Sequence, residues 1–282
     1  MAKTIDFCVA WGPWPDEPFA DIIRQQCRER GLTYVFCKDH NVQQVIKAAV
    51  AGTAPVRFHL DLCADYEDAH DVYARLGYAA KDGGAVVVNE PDHARVAANK
   101  TTLHYRLENA GIPVPYTVVV RNWEPDAFVL TPAERKKLGR PFIIKPARGY
   151  GKRGVALVNG HSLKELARAR RFDNGDDFLF QQLVEPQWFG HRMGWFRMFY
   201  VLGEVIPCWW DKVTEHYACV TVDEFDKYDL LPVCDIVWQI ARTAYMNFFT
   251  TELAIVGRRG DRRYVAIDYV NDQCDTTLQS HS

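Results

Sequence analysis

The apolar pattern of this 282-residue chain changes character about a third of the way along, and that change limits the folds open to it. Up to residue 95, short β-branched and aromatic runs alternate with amphipathic stretches. TIDFCVAWG reads as a strand, and PDEPFADIIRQQCRERG as a helix with Phe19, Ile22, Ile23 and Cys27 on one face and Gly31 at its end. LTYVFCKD is followed by NVQQVIKAAVAG behind a capping Asn41, and VRFHLDLC and AVVVNEP flank a helical YEDAHDVYARLGYAAKDGG. Such alternation predicts a small open parallel sheet.

After residue 95 the pattern turns to hairpins. DHARVAANKTTLHYRLENAG predicts one helix ending at Gly111, and IPVPYTVVV an extended segment. TPAERKKLG is a short helix with a T-x-x-E capping box and Pro132 in its first turn; SLKELARARRF opens on a second box, Ser162 to Glu165. PFIIKP, RGVALV and FLFQQLVEP read as strands. GWFRMFYVLGEVIPCWW predicts a hairpin turning at Leu202–Gly203–Glu204, VCDIVWQIARTAYM a helix, and TTELAIVGRRGDRRYVAIDYV a second hairpin. The chain has no internal repeat. It divides into units at 1–95, 96–180 and 181–282.

Composition narrows the function classes. Apolar residues make up 48% and the formal net charge is −2, so no global positive field recruits nucleic acid or anionic membrane. No run approaches the ~20 apolar residues of a membrane span, and the N-terminal run lacks the apolar core of a signal peptide. Eight scattered cysteines form no C-x-x-C and no zinc spacing, which reads as reduced cytoplasmic thiols.

Between two of the predicted strands lies KPARGYGKRGV, with Lys145 four residues before Gly149 and further glycines at 151 and 154. A dinucleotide turn needs a helix directly after its glycines; here the strand-like VALV follows. The loop therefore joins two antiparallel strands, and its backbone N–H groups can cover phosphates. The alternative is a surface hairpin whose cations, Arg148, Lys152 and Arg153, are merely solvated.

Four features surround the loop. Asn99-Lys100 sits on a helix before the chain leaves through GIPVP. In FLFQQLVEP, alternation puts Gln182 and Val184 on one face, and the Leu183–Val184 backbone is free to bond an adenine edge. Arg197 lies within a hairpin, facing a polar cleft or a solvated outer face. In the last hairpin, counting eight residues either side of Gly260 sets Glu252 opposite Asp268, on the face of Ala254 and Ala266. Opposed carboxylates repel; a divalent cation between them, with Asn271 as a neutral oxygen, relieves this and suits Mg²⁺. Simple solvation of either acid is the other reading. Trp11 and Trp14, at a strand end, line an acceptor site or cap the core, and Trp209, Trp210, His216 and Tyr217 form a candidate substrate wall.

This order of features resembles the ATP-grasp superfamily, most closely the ribosomal-protein glutamate ligases, with glutathione synthetase and D-alanine–D-alanine ligase more distant. The resemblance covers about Glu90 to Asp275. It implies an α/β fold in which a Rossmann-like N-terminal domain precedes two α+β lobes clasping ATP. It implies ATP contacts from Lys100, Lys145, Gly149, Tyr150, Gly151, Gly154 and the hinge Gln182, Leu183, Val184 and Glu185. It implies Mg²⁺ on Glu252, Asp268 and Asn271, with Arg197 stabilising the reacting charge. The implied activity is ATP-dependent joining of a small-molecule or peptide carboxylate to an amine through an acylphosphate. A kinase acting on a small-molecule hydroxyl and a non-catalytic nucleotide-binding protein are the alternatives. The chain departs from the family in reading D-x-x-N where E-x-N is usual, which leaves Asp272 or Asp275 as substitutes for Asn271. The hinge carries Gln181-Gln182 in place of an acid, and Trp210-Asp211 stands where a second basic residue is expected, with Lys212 adjacent.

Overall fold

The strand–helix alternation of the first third builds a parallel sheet. In a computed structural model, describing residues 4–12, 17–122, 129–149, 153–160, 167–168, 175–211, 213–214, 216–258 and 260–274, strands β1 (Ile5–Ala10), β2 (Tyr34–Cys37), β3 (Val56–Asp61) and β4 (Val86–Val88) pair in the order β2-β1-β3-β4, all parallel. Helices α1 (Glu17–Glu29), α2 (Val42–Val50) and α3 (Val72–Asp82) connect them. The third helix is shorter than its amphipathic run because Asp71 caps it, accepting from Ala74 N at 2.7 Å.

The run expected to form one helix forms two. Asn99 leaves helical geometry (φ −84°, ψ 101°) and accepts from Thr102 N at 2.9 Å. It closes α4 (Pro91–Ala98) and caps α5 (Lys100–Asn109), so Lys100 is the first residue of a new helix. An asparagine satisfies an orphan N–H at a helix start better than it tolerates a helix interior.

The central strands form a second sheet, antiparallel, in the order β5-β8-β6-β7: β5 (Thr117–Val120), β6 (Phe142–Pro146), β7 (Ala156–Val158) and β8 (Phe178–Gln182). Helix α6 (Pro132–Leu138) begins with the expected capping box, Thr131 with Glu134. This sheet has its own core of Val118, Val120, Leu130, Leu138, Phe142, Ile144, Phe178 and Phe180. The division placed at 180 falls inside β8. The second capping box, Ser162–Glu165, lies outside the described residues.

The last third forms a five-stranded antiparallel sheet, β13-β12-β11-β14-β15. Its members are β11 (Trp195–Val201), β12 (Glu204–Asp211), β13 (His216–Cys219), β14 (Phe248–Val256) and β15 (Arg263–Asn271); a small hairpin, β9 (Trp188–Phe189) with β10 (Arg192–Met193), precedes them. The first hairpin turns through Leu202 and Gly203, both at positive φ (50° and 107°), the geometry that suits a two-residue link between twisted strands. Helices α7 (Val222–Tyr228) and α8 (Leu231–Ala244) cross over to β14. The main core is continuous from the N-terminal sheet through α5 to α8 and this sheet. Asn89, buried after β4, ties the two by donating to Phe248 O and accepting from Asn247 N and Phe248 N. Among the described residues no helix is long and apolar enough to cross a membrane.

Candidate active site

One row of residues crosses the C-terminal sheet. Asp268 on β15 faces Glu252 on β14, which faces Arg197 on β11, which faces Cys208 on β12, which faces Cys219 on β13. Directly paired residues share a face, so the two acids and the arginine stand side by side. The count across the last hairpin thus gives the observed pairing, but not for the reason of a regular ladder. Near the turn the register is Ala254↔Val265, and extra residues on β15 shift it, first to Glu252↔Asp268 and then to Thr250↔Asn271. Ala254 lies on the acids' face with Val256 and Val265, whereas Ala266 points into the main core, contrary to the expectation from strict alternation.

The same irregularity settles where Asn271 points. Three residues of β15 span the stretch that two of β14 span, a bulge that returns Asn271 to the site face. Its Nδ2 donates to Asp268 Oδ2 at 3.1 Å. Asp272 turns elsewhere: its carboxyl is pushed up to about 6, by burial first and then by Asp61 of the N-terminal sheet. Asp275 lies outside the described residues.

Both oxygens of Glu252 are held, Oε1 by Arg197 Nη2 at 3.1 Å and Oε2 by Trp195 Nε1 at 3.0 Å. The guanidinium of Arg197 also stacks 4.0 Å above Trp210. Burial and the facing Asp268 raise the Glu252 carboxyl, against the arginine. Burial also pushes Asp268 up, but the ammoniums of Lys100 and Lys145, the Asn271 bond and Arg197 outweigh it and hold its carboxyl low. Among the described residues no three His, Cys, Asp or Glu side chains come together to hold a metal ion. The oxygen set here is two carboxylates and an amide, and it fits a hard cation, since each carboxylate offers about four lone-pair sites and the hydrogen bonds present leave some open.

Lys145 sits at the end of β6, only 7% exposed. Its Nζ donates to Ile267 O at 2.9 Å. Burial lowers its pKa to about 8; Asp268 and Glu252 pull it up and Lys100 pushes it further down. Lys100 reaches the same region from α5, but its Nζ donates to Gly149 O at 2.6 Å and its backbone N to Ala147 O at 2.9 Å. It therefore pins the start of the glycine loop. β6 and β7 flank the loop as antiparallel strands; Gly154 has φ +73°, and Tyr150 and Gly151 lie outside the described residues. Arg148 is not free: it pairs with Glu67 at 3.2 Å, and its backbone N donates to Asp176 at 2.7 Å.

The hinge differs from a simple alternating strand. β8 stops at Gln182, which is exposed, and Val184 packs beside Ala254, Val256 and Val265. Between the bonds from Gln182 N to Tyr116 O and from Gln187 N to Ile255 O, no backbone bond engages Leu183, Val184 or Glu185 among the described residues. The wall expected from Trp209, Trp210, His216 and Tyr217 splits by alternation. Trp210 and Tyr217 lie on the Arg197 face, while Trp209 packs on Phe196 in the main core and His216 pairs with Asp211 at the exposed strand end. Trp11 is core, stacked with Phe19 and edge-on to Phe36; Trp14 and Lys212 lie outside the described residues. Sequence reasoning passed over Trp195 and Tyr269. The i, i+2 spacing of Trp195 and Arg197 signals a shared face; nothing in the β15 sequence marks the bulges that place Tyr269.

No family model matches the chain. Over 88 residues, 31% of this chain and 22% of the relative, it is 32% identical to the tetrahydromethanopterin:alpha-L-glutamate ligase of Methanosarcina acetivorans, so the match spans under a quarter of that protein. Likeness of structure runs much further. A RimK domain ATP-grasp protein from Sphaerobacter thermophilus aligns with a TM-score of 0.67 at 18% identity, over 97% of this chain and 94% of that one. The ATP-grasp ligase PsnB, in complex with its precursor peptide PsnA2 and AMPPNP, aligns with a TM-score of 0.65 at 15% identity, over 98% and 91%. Likeness over nearly the full length of both chains, added to the order of sheets and the placement of Lys145 and the paired acids, shows that this chain has the ATP-grasp fold.

Proposed function

We propose that the protein is a Mg-ATP-dependent ligase that joins a carboxylate to an amine. The observation that carries this is the row Asp268–Glu252–Arg197 lying within reach of a buried lysine from the glycine-loop strand. A substrate carboxylate oxygen attacks the γ-phosphorus and the β–γ bridging bond breaks, giving an acylphosphate and ADP. The amine nitrogen then attacks the acyl carbon, phosphate departs and the amine loses a proton. Such chemistry is mostly positioning and charge neutralisation.

In this reading Lys145 and Lys100 hold the α/β-phosphates, and the 149–154 loop covers the β/γ-phosphates with its N–H groups. The unbonded backbone of Leu183 and Val184 takes the adenine edge, with Gln182 and Glu185 beside the ribose. Glu252, Asp268 and Asn271 would hold magnesium, which would supply positive charge against the phosphates. Arg197, stacked on Trp210, stabilises the charge developing at the acyl centre. Three functional units, 1–95, 96–180 and 181–282, supply substrate contacts, lid, and hinge with metal site. Peptide or small-molecule carboxylates and amines are the substrate class, in keeping with a precursor peptide on PsnB and a glutamate ligase among the relatives. A cytoplasmic site of action fits the need for ATP and the free thiols.

The test is ADP release over a panel of acids and amines, with hydroxylamine as trap. A hydroxamate supports the acylphosphate; ADP release without one favours transfer to a hydroxyl. Unchanged Mg-AMPPNP affinity in Lys145→Ala would remove the nucleotide site from this position.

A further inference from the structure

We infer that Tyr269 is a positioning residue for Lys145, and that His104 and Gln181 fix it in that task. This rests on the reading of Lys145 as a nucleotide contact. The lysine ammonium is nearly enclosed, yet no ion pair to it exists among the described residues. It has one carbonyl, Ile267 O, and one aromatic face, the Tyr269 ring, 5.1 Å from Nζ to the ring centre. A desolvated cation over a π face is held firmly and from one direction. One N–H is spent on Ile267 O and the ring covers one side, which leaves two N–H groups for a ligand.

The ring is anchored at its hydroxyl. Gln181 Nε2 donates to the Tyr269 hydroxyl at 3.0 Å, and His104 Nδ1 lies 2.7 Å from the same oxygen. The hydroxyl accepts from the amide and keeps a second lone pair and its own proton, so it bonds Nδ1 of neutral His104 as donor or as acceptor according to the tautomer. Burial favours that neutral form of His104. All three side chains are at most 3% exposed. A phenylalanine or leucine would fill this space without three polar groups to satisfy. What the polar network adds is one orientation of the ring.

The three elements that meet at this hydroxyl are those that carry the nucleotide contacts. His104 lies one helical turn beyond Lys100 on α5, Gln181 precedes the hinge on β8, and Tyr269 sits between Asp268 and Asn271 on β15. β6, which carries Lys145, pairs with β8 at Lys145↔Leu179. Hinge, lid strand and metal strand are therefore set against each other at the point where the lysine emerges.

The experiment measures Mg-AMPPNP affinity by calorimetry in the full chain. Tyr269→Phe keeps the face but loses the hydroxyl that Gln181 and His104 hold, and weakens binding about threefold; affinity equal to wild type would remove Gln181 and His104 from the inference. Tyr269→Leu removes it and weakens binding about tenfold to thirtyfold, the size of a desolvated cation–π contact. In a Lys145→Met background Tyr269→Leu has no further effect. An equal loss in both backgrounds would show that Tyr269 acts on the fold and not through the lysine, and would overturn the inference. If Lys145→Met itself leaves affinity unchanged, the nucleotide reading of Lys145 falls, a result separable from failure of Tyr269 alone. Should Tyr269→Leu not fold, phenylalanine and its mono-, di- and trifluoro forms at position 269 give near-isosteric rings of fading quadrupole. Affinity that falls with each fluorine supports the inference, and a flat series overturns it.

Discussion

Replacing Lys145 by methionine should make the nucleotide-free protein more stable at neutral pH while removing its nucleotide site. The lysine is held at about 8 against an ordinary 10.5, because burial outweighs Asp268 and Glu252 and Lys100 adds to it. At ~1.4 kcal/mol per tenfold change in proton affinity, that gap costs the folded state about 3 kcal/mol at pH 7. The figure is net, since the attraction of the two acids is already in it. Methionine forfeits the bond to Ile267 O, about 1 kcal/mol, and the charge over the Tyr269 ring, about 1 kcal/mol, leaving a gain of about 1 kcal/mol. Below pH 8 the penalty on the wild type is full. Between 8 and 10.5 the unfolded chain binds a proton that the folded one has lost, so wild-type stability rises and the variant's advantage fades. Urea unfolding of both proteins at pH 7 and near pH 10, without nucleotide, measures this difference. A variant less stable than wild type at pH 7, or an advantage equal at both pH values, would refute the reasoning.

Asn99→Ala removes the cap on α5 and should cost about 1 kcal/mol in thermal or urea unfolding, with Asn99→Ser recovering most of it. Because Lys100 opens that helix and its Nζ holds Gly149 O, protease cleavage near Gly149 should also quicken. Trp195→Phe frees Glu252 Oε2 without emptying the space, and should lower kcat/KM about tenfold with little change in unfolding midpoint, loss of one hydrogen bond to a charged group being worth about 1.5 kcal/mol. A thiol oxidant such as diamide should cross-link Cys208 to Cys219 but not Cys8 to Cys37, as peptide mapping would show. The first pair are direct partners beside the Val220 N to Pro207 O bond, hence a close non-hydrogen-bonded pair. The second are offset by two residues on parallel strands, with Cα atoms roughly 8 Å apart and beyond bridging range.

What could be read from the sequence depended on how local the deciding interaction was. The parallel sheet, the capping box at Thr131 and the turn at Leu202–Gly203 are each written in a few adjacent residues, and each formed. The α4–α5 break was equally local, marked by Asn99, but the apolar period across it reads as continuous and hides it. The occupancy of Glu252 by Trp195, of Lys100 by Gly149 O and of Arg148 by Glu67 was not legible, because each joins elements tens of residues apart whose meeting depends on packing between sheets. The aromatic wall failed for a simpler reason: adjacent strand residues cannot share a face, so Trp209 and Trp210 were bound to part.

The D-x-x-N spacing shows how a sequence departure can be absorbed by the backbone without loss of the constellation. Under strict alternation the extra residue sends Asn271 to the core face, away from Asp268. In the ladder, β15 takes up the residue as a bulge opposite Thr250–Glu252, and the amide comes back to within 3.1 Å of Asp268. A first irregularity at Glu252/Leu253 has already turned Asp268 toward Glu252, since the register set by the hairpin turn would otherwise oppose Glu252 to Ile267. Two single-residue bulges, neither sufficient alone, thus place both β15 ligand candidates on one face. They also swing Tyr269 into the main core with its ring under Lys145. The extra residue is therefore better understood as the condition that lets one strand set Asp268 and Asn271 on one face and Tyr269 beneath Lys145 on the other than as decay of a shorter motif.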